Sequence, residues 1–106
     1  APDPAAALLG QGLAYVAFAF ESPALFRLMF TGPPHGKLPG GENAHDLLAA
    51  RVRVLVPDSA EAGILACWGA VHGIATLTLD GRLEPPIEAR TRAALELMVA
   101  GLAARR

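Results

Sequence analysis

Cysteines and metal-binding patterns are scarce in this chain of 106 residues. Its single cysteine, Cys67, excludes an internal disulfide and fits a reducing cytoplasm. The three histidines, His35, His45 and His72, do not follow the spacing of metal ligands, so we predict neither a metal site nor a cofactor. Cys67 and His72 lie on one predicted helix at a spacing that makes their side chains diverge, so they cannot act as nucleophile and base. We therefore predict that the protein is not an enzyme.

The sequence also lacks an excess of charge of either sign. Nine basic and ten acidic residues give a formal net charge of -1, and the basic residues do not gather in one segment. A DNA-binding surface needs concentrated positive charge to displace counterions from the phosphates. We therefore expect that this chain does not itself contact DNA.

Apolar residues, by contrast, are abundant. Hydrophobic residues make up 53% of the chain and charged residues 18%, against about 45 to 50% and about 25% in ordinary soluble domains. We expect one domain, residues 1–106, and a domain of this length has too little interior to bury the surplus. A partner subunit, a ligand cavity or a membrane must cover the rest, and we favour the first two.

Two apolar segments, 5–20 and 60–79, raise the alternative of a two-helix membrane protein. The first segment is short for a span and contains Gln11. The second contains Trp68 and His72, and neither segment has the Lys/Arg flank that orients a spanning helix. A helix that is apolar all round is equally typical of the centre of a helical bundle, so we predict no membrane contact.

Prolines and glycines divide the chain into five predicted helices, at 5–20, 23–30, 43–55, 58–79 and from 85 onward. Segment 31–41, with three prolines and four glycines, predicts an irregular loop. Asp58 and Glu61 have the spacing of a capping box at the start of the fourth helix, and Asp80-Gly81 is typical of its end. Only segment 51–56 is ambiguous between helix and strand, and we assign it to the third helix. The predicted fold class is all-α.

Apolar spacing predicts which faces of the outer helices are buried. The first helix repeats Leu9, Leu13, Val16 and Phe20 at helical intervals, and we expect it to be largely buried. The fifth helix is amphipathic, and its apolar stripe consists of Ile87, Ala94, Leu95, Met98 and Leu102.

The fourth helix carries a stripe of small residues beside its bulky face. The bulky face consists of Leu65, Trp68, His72, Thr76 and Leu79, and the small stripe of Ala62, Ala66, Gly69 and Gly73. Each glycine costs about 1 kcal/mol of helix stability relative to alanine, and close packing of another helix is the natural compensation. We expect this helix to have no solvent-facing side. The neighbour on the stripe is either the fifth helix of the same chain or the same helix pair in a second copy, and spacing alone leaves both open.

Three motifs occur in an order that is characteristic of a known family. Residues 67–75 read Cys-Trp-Gly-Ala-Val-His-Gly-Ile-Ala and contain a Trp-x-x-Val-His-Gly core. Upstream lie Tyr-Val-x-Phe-Ala at 15–19 and Pro-x-Leu-Phe-Arg-Leu-Met-Phe at 23–30. Together they resemble the C-terminal domain of one large group of bacterial TetR-family transcriptional regulators, and the resemblance covers residues 13–83.

This resemblance implies a five-helix bundle whose last two helices form a dimeric four-helix bundle. It implies a cytoplasmic homodimer that senses a hydrophobic or aromatic effector and reaches DNA only through an N-terminal helix-turn-helix domain, which this chain lacks. The interface residues would be Ala62, Ala66, Gly69, Gly73, Leu95, Met98 and Leu102.

The effector cavity of the family implies a second set of residues, enclosed by the first, third and fourth helices. The matching positions are Tyr15, Phe18, Ala19, Phe26, Met29, Phe30, Trp68, Val71, His72 and Ala75. The Tyr15 hydroxyl and the His72 ring would orient the ligand. Two alternatives stay open: His72 is a structural histidine with an internal partner, or these residues fill the core and the chain is an oligomerisation module with no small-molecule role.

Overall fold

The computed structural model describes residues 3–29 and 41–105, with the side chains of 41–43 left out of the description. Every regular element in these ranges is helical, which confirms the all-α fold class. The helices are α1 (Pro4–Glu21), α2 (Pro23–Met29), α3 (Gly41–Leu55), α4 (Ala60–Leu79) and α5 (Ile87–Ala103), and a short 3-10 turn (Pro57–Ser59) precedes α4. The loop predicted for 31–41 lies outside the described residues except for Gly41, which begins α3.

Local hydrogen bonds explain where two of the helices begin and end. The Asp3 carboxylate accepts a hydrogen bond from the Ala5 N–H at 3.1 Å and caps the start of α1. At the end of α4, the N–H groups of Gly81 and Arg82 donate to the carbonyls of Thr78 and Leu77 at 3.1 and 2.9 Å. These two hydrogen bonds back into the helix require a residue in the left-handed conformation, and Gly81 supplies it with φ of +67°.

The capping box predicted at Asp58 is wrong. Helix α4 begins at Ala60 behind Ser59, and no side chain of the described residues caps it. The reason is local. Asp58 lies inside the 3-10 turn at Pro57–Ser59, so it cannot cap α4, and the helix begins two residues later than predicted.

The core forms where α1 crosses α3, α4 and α5. Two glycines allow this close approach. A Cβ at Gly12 would lie 3.2 Å from methyl groups of both Leu95 and Val71, and a Cβ at Gly63 would lie 2.8 Å from the Val52 Cγ1 atom. The glycines that bring helices together within the chain are therefore Gly12 and Gly63.

The buried faces of α1 and α4 differ from those that the apolar spacing predicts. In α1 the buried positions are Leu8, Gly12, Val16 and Ala19, whereas Phe20 is 61% exposed. The face is rotated because α4 and α5 approach along Gly12. The expectation that α4 has no solvent-facing side is also wrong for the single chain, since Leu65 is 73% exposed.

Among the residues that the structure describes, one segment, Pro57–Leu79, is long and apolar enough to cross a membrane, and the bent pair α1 and α2 passes the same test of length and composition when taken together. This is weak evidence for a span, because a core helix of a soluble protein has the same properties. In α4, Cys67, Val71 and Ala75 are buried by packing within the chain.

Candidate functional site

Five aromatic rings from four helices meet beside α4. This aromatic cluster consists of Tyr15 on α1, Phe26 on α2, His45 on α3, and Trp68 and His72 on α4. Helix α2 contributes because the chain bends by 111° between α1 and α2, which turns Phe26 back toward Tyr15. The rings of Trp68 and His72 can stack because these residues are four positions apart on one helix.

The rings combine stacked and edge-on contacts. His72 is stacked with Phe26, with centroids 5.5 Å apart, and with Trp68, with centroids 6.3 Å apart. Tyr15 meets Phe26 and Trp68 edge-on at 5.7 and 5.4 Å, and His45 meets Trp68 edge-on at 5.1 Å. Such geometries are the favourable ones for aromatic pairs, so the rings of the cluster stabilise one another.

Tyr15 and His72 are kept uncharged within the cluster. The Tyr15 hydroxyl and the His72 Nδ1 atom lie 3.1 Å apart, within hydrogen-bond distance. Burial raises the pKa of the Tyr15 phenol and lowers the pKa of the His72 imidazole, because both charged forms would lose hydration. At neutral pH both groups are therefore neutral. The hydroxyl can then donate to Nδ1 when the ring proton is on Nε2.

One turn before Tyr15, Gln11 connects α1 to α3. Its Nε2 donates to the Ala44 carbonyl at 2.9 Å, and its Oε1 accepts from the Arg51 Nη1 at 2.8 Å. Sequence reasoning missed both Gln11 and His45 as neighbours of the site. Gln11 could have been recognised from the sequence, because it is a polar residue in an apolar helix and lies four positions before Tyr15. His45 could not have been recognised in this way, because its contact with Trp68 depends on how α3 packs against α4.

The structure brings together four of the predicted cavity residues, Tyr15, Phe26, Trp68 and His72. The other predicted cavity residues lie outside this aromatic cluster. Ala19 and Ala75 are buried with Phe26 in a small core, against which the half-buried Phe18 packs, and Val71 belongs to the main core. Met29 is half-buried, and Phe30 lies outside the described residues.

The predicted interface residues also fall into two groups. Ala62, Ala66 and Gly69 are exposed and Gly73 is half-buried. No described atom outside the helix itself lies within 4 Å of a Cβ added at Gly69 or Gly73, so the small stripe does not seat α5 of the same chain. Met98 and Leu102 are half-buried against the core.

Leu95 requires a correction. It is only 1% exposed and packs against Gly12 inside the single chain, so it offers no surface to a second copy. The exposed apolar residue on the outer side of α5 is Leu97, at 77%. Spacing places Leu95 on the apolar stripe of α5 but does not show whether α1 or a second copy covers that stripe.

Groups for covalent or metal chemistry are few in the described part of the chain. There, no three His, Cys, Asp or Glu side chains are grouped so that they could hold a metal ion. Burial raises the pKa of the Cys67 thiol to about 11. The thiol is therefore protonated at neutral pH and a weak nucleophile.

A family model described as "Tetracyclin repressor-like, C-terminal domain" matches residues 8–102. Neither a curated protein nor a solved structure matches the chain significantly. The matched range includes the whole aromatic cluster and the small stripe of α4.

Proposed function

Because the chain belongs to the family of tetracyclin repressor-like C-terminal domains, we propose that residues 1–106 form the effector-binding and dimerisation domain of a cytoplasmic bacterial transcriptional regulator. Domains of this family belong to transcription regulators and not to enzymes. In this proposal the effector is a hydrophobic or aromatic small molecule. DNA is bound by a helix-turn-helix domain outside this sequence, and two copies of the domain associate.

The aromatic cluster is the observation that carries the sensing part of the proposal. Ring faces and edges from four helices converge there, and a flat apolar ligand can replace contacts that the rings now make with one another. The hydrogen bond between Tyr15 and His72 pairs two neutral groups. A ligand hydroxyl can replace either partner, and a ligand carbonyl can replace His72 Nδ1 as the acceptor of the Tyr15 hydroxyl. Since neither group carries charge at neutral pH, the cluster favours an uncharged aromatic effector over an ionic one.

Helix α4 supplies the link from the effector to the dimer. Trp68 and His72 lie in the cluster, and Gly69 and Gly73, the next residues along the chain, lie in the small stripe. A ligand that moves α4 relative to α1 therefore changes the position of the stripe. Preferential binding to one arrangement of the helices would shift the equilibrium between arrangements of the dimer.

The open small stripe supports the dimerisation part. Gly69, which is exposed, and Gly73, which is half-buried, each cost about 1 kcal/mol in the middle of the helix, and no described atom outside the helix lies within 4 Å of a Cβ added at either position. A second copy related by a two-fold axis would place the same pair of helices on the stripe and form a four-helix bundle. Leu65 on α4 and Leu97 on α5 are exposed and would be covered at the same time.

A second candidate function is an oligomerisation module without an effector. The observation in its favour is the burial of Phe26, Ala19 and Ala75 in a small core of their own. In that case the aromatic cluster is part of a filled core that binds no ligand, and the small stripe alone has a function, which is to contact a second copy of the chain.

A thermal-shift experiment with uncharged aromatic probes, indole and 2-naphthol among them, separates these candidates. A ligand that binds the native state raises the melting temperature with concentration. We expect the increase in the wild type and a smaller one in the matched variant Tyr15→Phe, which lacks only the hydroxyl. A dimeric wild type whose melting temperature does not respond to any of the probes would favour the oligomerisation module.

A further inference from the structure

A groove separate from the aromatic cluster runs between the second half of α1 and the start of α5. Its volume is about 540 Å³, and none of its lining residues is among the ten predicted for the effector cavity. We call it the α1–α5 groove. Pockets of roughly 300 to 1,000 Å³ are the size that holds small organic ligands.

The walls of the α1–α5 groove are mainly apolar. Leu13, Ala17 and Phe20 line it from α1, and Ile87 lines it from α5. The groove is open because Ala17 is small and exposed, while Phe20 projects beside it. An apolar molecule in the groove would cover the Phe20 ring, which is otherwise exposed to water.

Two threonines line the same groove, and they differ in their hydrogen bonding. Thr78 donates to the Ile74 carbonyl at 2.7 Å. Thr91 is only 5% exposed, and its hydroxyl has no hydrogen-bond partner among the described residues. A buried hydroxyl that makes no hydrogen bond destabilises the fold, because it has lost its hydration without gaining a partner. The Thr91 oxygen is buried in its present rotamer, and a threonine in a helix has a second side-chain rotamer, so the hydroxyl has to turn to that rotamer to donate to an acceptor in the groove.

Charged side chains at the groove are of both signs. Glu21, Glu88 and Arg92 line it and are exposed, so water screens them and they give no net attraction for an anion. The site therefore suits an uncharged ligand.

We propose that the α1–α5 groove binds a small uncharged molecule with an apolar body and a carbonyl group, whose oxygen accepts a hydrogen bond from the Thr91 hydroxyl. The apolar body lies along Leu13, Ala17 and Phe20. The site is independent of the proposed effector site, because the two share no residue.

The probe for the test is 6-propionyl-2-dimethylaminonaphthalene, an uncharged naphthalene ketone whose fluorescence shifts to the blue in apolar surroundings. We expect a saturable blue shift with the wild-type chain. Ala17→Phe fills the groove and should abolish the part of the shift that depends on Thr91, whereas Ala6→Phe, on an exposed position of the same helix outside the groove, should leave the shift unchanged.

Thr91 is tested with a matched pair of variants. Thr91→Val should weaken binding of the probe by about five-fold, the loss of one hydrogen bond of about 1 kcal/mol. The same variant should raise the melting temperature of the free protein, because it removes a buried hydroxyl that has no hydrogen-bond partner among the described residues. Thr91→Ser restores the hydroxyl and should restore binding.

Three results would overturn the proposal. They are the absence of saturable binding to the wild type, equal affinity of the wild type and Thr91→Val, and unchanged binding by Ala17→Phe. Loss of binding in His72→Gln with full binding in Ala17→Phe would place the probe in the aromatic cluster, and the groove would then have no ligand.

Discussion

At the scale of single residues, the neutral state of His72 makes the free energy of unfolding depend on pH. Burial lowers the pKa of His72 in the folded chain below its unfolded value of about 6.5. As the pH falls through about 6.5, the unfolded chain takes up a proton before the folded chain does, so stability is complete above that pH and decreases below it. A protonated Nδ1 also cannot accept the hydrogen bond from Tyr15.

We therefore expect urea denaturation of the wild type to give a lower free energy of unfolding at pH 5.5 than at pH 7.5. His72→Gln removes the titrating ring, and its stability should change less over the same interval. An equal decrease in both proteins would show that His72 is not the group responsible.

Gly63 is the glycine whose replacement the packing opposes most directly. A Cβ there would lie 2.8 Å from Val52 Cγ1 and 3.2 Å from Val56 Cγ2, and both neighbours are stiff β-branched side chains. We expect Gly63→Ala to lower the free energy of unfolding by about 1 to 3 kcal/mol, despite the better helix propensity of alanine.

Gly10→Ala is the matched control for Gly63→Ala. It adds the same methyl group to a helix at a position where no described atom outside that helix lies within 4 Å. Chemical denaturation should show a gain of up to about 1 kcal/mol for this variant. A stabilising Gly63→Ala would mean that Val52 lies further from Gly63 than this close approach of α3 and α4.

At the scale of elements, the end of α4 depends on the backbone conformation of Gly81. Its φ of +67° is costly for residues with a Cβ, by about 1 to 2 kcal/mol. We expect Gly81→Ala to lower the melting temperature, and Gly81→Asn to lower it less, because asparagine tolerates this conformation better. Thermal denaturation followed by circular dichroism measures both, and equal melting temperatures for wild type and Gly81→Ala would contradict this role.

The helices could be predicted from the sequence because their limits are set by local chemistry. Pro23, Pro57 and Gly81 act through their own backbone restrictions, and the bounds of α1, α2 and α4 differ from the predicted ones by at most two residues. The capping box at Asp58 failed for a local reason as well, since Pro57 starts a 3-10 turn that the spacing of Asp58 and Glu61 does not reveal.

Which face of a helix is buried could not be predicted as well, because it depends on the neighbouring helices. Phe20 fits the apolar repeat of α1, yet α4 and α5 pack along Gly12 and leave it exposed. The same limit applies to the candidate site. The motifs predicted Tyr15, Phe26, Trp68 and His72 together, whereas His45 enters the aromatic cluster only through the packing of α3.

At the scale of the whole molecule, the open stripe on α4 determines the oligomeric state that we propose. Gly69→Leu places a large side chain where the second copy would approach, so we expect sedimentation equilibrium to show a monomer or a greatly weakened dimer. Gly10→Leu is the matched control, since Gly10 is another helical glycine in open space. A Gly69→Leu variant that dimerises as the wild type does would place the interface elsewhere.

Trp68 offers the most direct measurement of the sensing function. It is the only tryptophan of the chain and lies in the aromatic cluster, so the intrinsic fluorescence of the protein reports on this site. Titration with 2-naphthol and related uncharged aromatic compounds should change Trp68 emission in a saturable way, with weaker binding in Tyr15→Phe. Emission that stays unchanged up to the solubility limit of every compound would contradict an effector site at the aromatic cluster.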